Sequence, residues 1–275
     1  MVKTENQAVW YRWLTLLLGI PVPVRLPFGS RWIARNDACG RMILRGSFEN
    51  EERMFVEQIL RPGMVVLDIG AHHGYYTLLA SQKVGPQGRV IAFEPSVRER
   101  RKLLKHLQLN ACTNVQVEEN ALGETVGIEK FFIVEGRETG CNSLRPPAVR
   151  KSTYVVEVPI TRLNEYVQLQ NLARVDFVKM DVEGAELAVL KGATDFLERR
   201  PRPIIFCEVQ DLRTRPWGYP AREIVDFLRQ RGFRWYVPSA GGNMQLLDLD
   251  QNEFDGNFVA VPEERRDLFE RELPL

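Results

Sequence analysis

The stretch VVLDIGAHHGYYTLLA, Val65 to Ala80, constrains the fold more than any other part of the chain. A run of β-branched and aliphatic residues passes through a turn holding two glycines into an apolar segment of helical length, which reads as a buried strand feeding a helix. In an open α/β sheet the first such turn lies at the carboxyl ends of the strands, where ligands bind. A dinucleotide site uses G-x-G-x-x-G, whose second glycine lets a pyrophosphate approach the main chain. Here His72 stands in that place and only Gly70 and Gly74 remain, so the turn disfavours a pyrophosphate.

The rest of the chain supports the same architecture. Strand-like segments at Arg89–Phe93, Asn114–Glu118, Val175–Met180 and Pro203–Val209 alternate with helix-like segments at Val97–Leu109, Leu163–Leu169, Ala185–Leu197 and Ala221–Gln230. This alternation predicts a doubly wound, mostly parallel sheet with helices on both faces. Near the end, FRWYV, MQLL and NFVAV follow one another without a helix, which predicts an antiparallel hairpin at the sheet edge. The reading divides the chain into an N-terminal helical and hairpin extension over 1–60, packed on the core, and one α/β domain over 61–275. Two irregular stretches, 136–152 and 211–220, each follow a strand and read as working loops, with Trp217 and Tyr219 as flat surfaces for a ring-shaped substrate.

Charge and cysteine content narrow the partners. With 37 Lys plus Arg against 36 Asp plus Glu, there is no global field to gather nucleic acid, and none is expected as a partner. The four cysteines show no metal-ligand spacing and read as reduced thiols in a cytoplasmic protein. The apolar run from Trp13 to Val24 is too short to span a bilayer and is interrupted by Pro21 and Pro23, so a packed helix ending at Gly19 is expected. The cluster Trp10, Tyr11, Arg12 and Trp13 leaves a peripheral membrane contact open.

Glu94 follows Gly70 at about the twenty-residue distance of the acid that accepts both ribose hydroxyls in nucleoside-binding sheets. A ribose without a pyrophosphate points to a nucleoside ending in an amino acid, as in S-adenosylmethionine. The candidate cofactor residues are Asp68 for the ammonium, Gly70, Ala71, His72 and Gly74 in the turn, Tyr76 and Pro95 beside them, and Asn120 and Ala121 for adenine. The amides near Gly70 and Gly74 are expected to face the carboxylate. Adjacent side chains diverge on an ordinary backbone, so His72 and His73 are expected to make a poor chelating pair, and His106, on the charged run RERRKLLKHLQLN, is expected in solvent.

A second motif, VDFVKMDVEGAELAVLKGA, places Lys179 in an apolar strand and Asp181 at its carboxyl end. Glu183 and Glu186 are expected at the start of the next helix, where the dipole favours negative charge, and Lys179 requires a charge partner. With VLDIGAHHGYYTL, AFEP, VPITRLNEY and NFVAVP, this segment makes the chain resemble the FkbM family of S-adenosylmethionine-dependent methyltransferases. The resemblance implies a class I methyltransferase sheet of seven strands, the last antiparallel. It also implies methylation of a hydroxyl on a sugar, glycolipid or polyketide-type metabolite, so a small-molecule or glycan acceptor. The departure is His72-His73, where the family more often has Asn before a small or aliphatic residue.

Removing a hydroxyl proton calls for a base over the carboxyl ends of the fourth and fifth parallel strands. Asp181 and Glu208 end those strands, and Lys179 is expected to hold the cluster's charge. Asp181 acts either as the base or as a ligand of a divalent metal ion that acidifies the hydroxyl, and both versions fit the residues. Two alternatives use the same sheet: an NAD-dependent oxidoreductase, and a non-catalytic protein that binds the nucleoside without turnover.

Overall fold

The computed structural model describes residues 14–148 and 151–267, so Trp10 to Trp13 lie outside the described residues. After a helical turn over 14–18, β1 (Val22–Arg25) and β2 (Arg31–Ala34) form an antiparallel hairpin, followed by α1 (Ala38–Arg45) and α2 (Asn50–Ile59). Leu26, Trp32 and Ala34 join one core cluster with Leu78, Leu79 and Phe177, so this N-terminal segment covers one face of the sheet.

The sheet is built from β3 (Val65–Ile69), β4 (Arg89–Phe93), β5 (Val115–Glu118), β9 (Phe177–Met180), β10 (Ile204–Gln210), β11 (Phe233–Pro238), β12 (Met244–Leu246) and β13 (Asp255–Pro262). Its order is β12-β11-β13-β10-β9-β3-β4-β5, with β5, β4, β3, β9 and β10 mutually parallel. This is a class I methyltransferase sheet with one strand added. The antiparallel β13 is inserted between β10 and β11, and β12 hairpins back along β11 as the edge strand. Strand order reverses at β3, and this switch point directs the β3 turn and the ends of β4 and β9 toward one crevice.

Helices α3 (Tyr75–Val84), α4 (Val97–Leu109), α6 (Glu186–Lys191), α7 (Thr194–Glu198) and α9 (Arg222–Arg229) pack on the faces. The single helix expected over Ala185–Leu197 is divided at Gly192. A Cβ there would lie 2.0 Å from the Gly123 carbonyl oxygen, and the Gly192 carbonyl accepts from the Asn164 amide at the start of α5 (Leu163–Leu169). The start of α5 therefore takes the acceptor that would have continued the helix.

A feature absent from the sequence reading is a second sheet. β7 (Gly127–Val134) and β8 (Thr153–Thr161) form a long antiparallel hairpin, with β6 (Ala121–Leu122) beside β8. The described part of the irregular stretch belongs to the tip of this hairpin; it carries a short turn at Thr139–Cys141, and Thr139, Asn142 and Leu144 line the crevice. Among the described residues no helix is long and apolar enough to cross a membrane.

Candidate active site

Two cavities open on the carboxyl ends of the parallel strands. The first, about 540 Å³ including its solvent-open part, is lined by Glu94 and Pro95 after β4, Asn120 between β5 and β6, Ala121 at the start of β6, and Thr139 and Asn142 from the hairpin tip. The second, about 1010 Å³ on the same measure, lies over β9 and β10 and is lined by Asp68, Tyr76, Lys179, Glu208, Arg213 and Glu49. Gly70, His72, Gly140, Asp181 and Glu183 border both, so the two spaces meet there. Asp68 and Tyr76, grouped by sequence with the cofactor residues, sit on the second cavity.

The β3 turn works by close approach. Gly70 has φ +83°, and a Cβ on it would lie 1.8 Å from the Asp181 carbonyl oxygen, so glycine lets the β3 and β9 turns touch. The amides of Gly70 and Gly74 donate to the carbonyls of Phe93 and Ala71. These two amides are thus engaged by main-chain carbonyls, one at the end of β4 and one within the turn. Glu94 is buried. Its two oxygens accept the amides of His72 (2.7 Å) and Ser96 (2.8 Å), and burial nevertheless raises its pKa to about 8.

His72 has φ +49°, which turns its side chain onto that of His73, and the rings stack with centroids 3.6 Å apart and planes 16° from parallel. The expected divergence fails because an ordinary backbone conformation was assumed. Cys39 Sγ lies within 4.8 Å of both histidines. In-plane lone pairs on parallel rings do not converge on one ion, so the set remains a poor chelator. His73 Nε2 and Lys102 Nζ each lie 2.6 Å from Glu99 Oε2, and Glu99 is fully buried. Burial works to raise the Glu99 pKa, but the hydrogen bond and charge around His73 and Lys102 outweigh it and hold the carboxyl well below its usual range. His106, expected in solvent, is buried: it stacks on Trp32 at 3.9 Å, donates from Nδ1 to the His73 carbonyl and accepts the Ile33 amide at Nε2. Both bonds are satisfied only by the neutral ring, and burial lowers its pKa to about 4.

On the other side of Gly70, the buried Lys179 has the partner its position demanded: its Nζ donates to Asp181 Oδ2 at 2.9 Å and lies 5.3 Å from the centre of the Tyr76 ring. Burial lowers the Lys179 pKa, but Asp181 and Glu49 raise it further, so the ammonium persists. Burial raises the Asp181 pKa, and Lys179 and Arg213 more than reverse this, leaving an ionised carboxylate with 31% of its side chain exposed to the cavities. Glu186 opens α6 as expected and accepts the Val182 amide at 2.9 Å. Glu183 departs from expectation. It precedes the helix at φ +56° and turns toward Arg213, with Oε2 and Nε 2.8 Å apart in an ion pair without hydrogen-bond alignment. Burial holds Glu183 up at about 8 and Glu208 well above the carboxylate range.

Sequence reasoning placed Asp181 and Glu208 together correctly but missed Glu49, Glu183 as a cavity residue, and Arg213. Trp217 and Tyr219 line neither cavity. Tyr219 donates to the Gly184 carbonyl, and Trp217 packs under Arg145 and against Gly184, so both brace the turn that carries Glu183.

The profile of the methyltransferase FkbM domain matches residues 68–235. The chain is 28% identical over 76% of its length to AMB antimetabolite synthetase AmbE of Pseudomonas aeruginosa, of which it spans 11%. It is 28% identical over 47% of its length to Methyltransferase 1 of Beauveria bassiana, of which it spans 58%. It is 24% identical over 76% of its length to the 31-O-demethyl-FK506 methyltransferase FkbM of Streptomyces tacrolimicus, spanning 88% of that enzyme. Among solved structures, a methyltransferase FkbM from Methylobacillus flagellatus superposes with a TM-score of 0.46 at 16% identity, covering 82% of this chain and 55% of that one. The chain belongs to the FkbM family of S-adenosylmethionine-dependent methyltransferases.

Proposed function

We propose that the protein methylates a hydroxyl group on a small-molecule or glycan acceptor of the sugar, glycolipid or polyketide type, with the nucleoside in the first cavity and the acceptor in the second. The observation that carries this reading is the junction: both cavities meet at Gly70, His72 and Asp181, and the one carboxylate there held ionised by a buried ammonium is Asp181. The 31-O-methyltransferase among the relatives supports oxygen as the acceptor atom.

The residues present fit the cofactor. A carboxylate carries about four acceptor positions, so Glu94 has capacity for a ribose diol after accepting two amides. Asn120 and Ala121 line the far end of that cavity for the base. When bound, the cofactor would supply a methyl group on a sulfonium, with sulfur as the leaving group keeping the carbon–sulfur pair. Asp181 would take the acceptor's hydroxyl proton, directly or through water, and Lys179 holds Asp181 in place and ionised. Positioning the hydroxyl in line with the departing sulfur supplies a large part of the acceleration.

The test is Asp181→Asn assayed by S-adenosylhomocysteine formation with a panel of hydroxylated acceptors. A fall in kcat of roughly 10²–10⁴-fold is expected, with S-adenosylhomocysteine affinity unchanged. Turnover within a few fold of the parent, with lower thermal stability, would reduce Asp181 to a structural partner of Lys179.

A further inference from the structure

The second cavity is strongly acidic. Glu49, Asp68, Glu138, Asp181, Glu183 and Glu208 face only Lys179 and Arg213 as side-chain cations in its lining. Within it, oxygens of Asp181, Glu183 and Glu208 all lie within 4.8 Å of one another. Lys179 is engaged with Asp181 and Arg213 with Glu183, and no ion pair joins either to Glu208 among the described residues. Glu208 is only 9% exposed, and its Oε2 is buried with no hydrogen-bond partner. One strand over, in register with Glu208, Asn257 likewise has its Oδ1 buried and unpartnered. Register partners in an antiparallel pair present their side chains to the same face, so the two side chains leave the sheet at adjacent positions on one face.

Buried acceptors without donors are rare, and each demands a partner that the protein itself does not supply. Carboxylate and amide oxygens with no sulfur or imidazole among them are the donor set of a hard divalent cation. The spacing agrees, because ligands on opposite sides of an ion at calcium-like distances of 2.3–2.6 Å stand roughly 5 Å apart. We propose that Asp181, Glu183 and Glu208 bind one hard divalent cation at the junction of the two cavities, where the acceptor hydroxyl becomes a further ligand. The second half of that statement rests on the methyl-transfer reading above; the ion site does not. With the ion in place, Glu208 has the partner it lacks, and a coordinated hydroxyl is easier to deprotonate.

The test uses the full chain stripped with EDTA, titrated with MnCl₂ and followed by the electron paramagnetic resonance signal of free Mn²⁺, with MgCl₂ and CaCl₂ as competitors. One site per chain is expected, competed by Mg²⁺ or Ca²⁺, and weakened at least tenfold in Glu208→Gln and in Glu183→Gln. Glu208 lines only the second cavity, so Glu208→Gln should still bind S-adenosylhomocysteine within about twofold of the parent, which certifies its fold, and a parent-like cooperative thermal transition certifies that of Glu183→Gln. Absence of saturable Mn²⁺ binding to the parent below 5 mM, or parent-like binding in both variants, overturns the site. Turnover that persists undiminished in EDTA overturns the catalytic half and leaves the methyltransferase reading intact. A bound ion without turnover on any hydroxylated acceptor removes that reading and leaves the ion site standing.

Discussion

Two buried charge clusters flank the Gly70 turn, and they are opposites. On one side Glu99 is closed in by His73, Lys102 and Arg98, with His106 and Trp32 packed above. On the other, Asp181, Glu183 and Glu208 crowd together with fewer cations than carboxylates and with an oxygen of Glu208 unpartnered. The first is satisfied from within the chain and lowers the pKa of its central acid; the second is not, and burial raises two of its three. Burial alone therefore does not mark a site. What separates scaffold from chemistry is whether the chain has completed the hydrogen bonding of its own buried groups.

The strongest way to break that contrast is to open the satisfied cluster. Glu99→Ala leaves Lys102 and a buried imidazole edge without an acceptor, and removing one member of such a pair costs about 3–5 kcal/mol. Urea unfolding should show that loss, and a loss under 1 kcal/mol would make Glu99 incidental. Its pKa is lowered in the fold, so its contribution is full above the unfolded-state value and disappears as the pH falls through the acid range; the variant should show a flatter acid limb than the parent.

A smaller effect sharpens the comparison in the nucleoside cavity. Glu94 titrates near 8 and is neutral below that in the free protein, whereas a ribose diol donates to the carboxylate. Binding then releases a proton, so S-adenosylhomocysteine affinity should climb by up to about tenfold per pH unit from 6 toward 8 and level above it. Calorimetry in buffers of different ionisation enthalpy measures that proton, and a flat profile would place the diol elsewhere. The smallest effect is expected at Glu208→Gln in metal-free buffer. Oε2 of Glu208 makes no hydrogen bond, and among the described residues no ion pair joins Glu208 to Lys179 or Arg213, so the swap should move stability by less than about 1 kcal/mol, the net worth of one hydrogen bond, as measured by chemical denaturation. A loss above 2 kcal/mol would show that the open cluster is structural as well.

How legible each cluster was in the sequence follows from how its members arrive. Asp181 and Glu94 directly follow parallel strands and Glu208 lies two residues before the end of one, positions that hydrophobic runs reveal one segment at a time, and so all three are legible by pattern. Lys179 was legible as an anomaly, a cation inside an apolar strand. Glu49 reaches the cavity from the residue that precedes α2 and Arg213 from the short helix α8 (Asp211–Thr214); the stretch 211–220 read as a working loop, but nothing local singled out Arg213 within it. His106 sits on a run of charge, and only the stacking of Trp32, far away in sequence, buries it. The β7–β8 hairpin was missed because its strands lie outside the main sheet and its tip carries the Gly, Pro and Arg that dominated the reading.

The insertion of β13 between β10 and β11 has a consequence for synthesis. Its residues 255–260 pair along β10, with Asn257 opposite Glu208, so a chain emerging from the ribosome has the Gly70 turn well before the strand that flanks Glu208 is released and slots into the gap between β10 and β11. Until then β10 presents a bare edge, and a folding helper or a neighbouring nascent chain would find its handhold there.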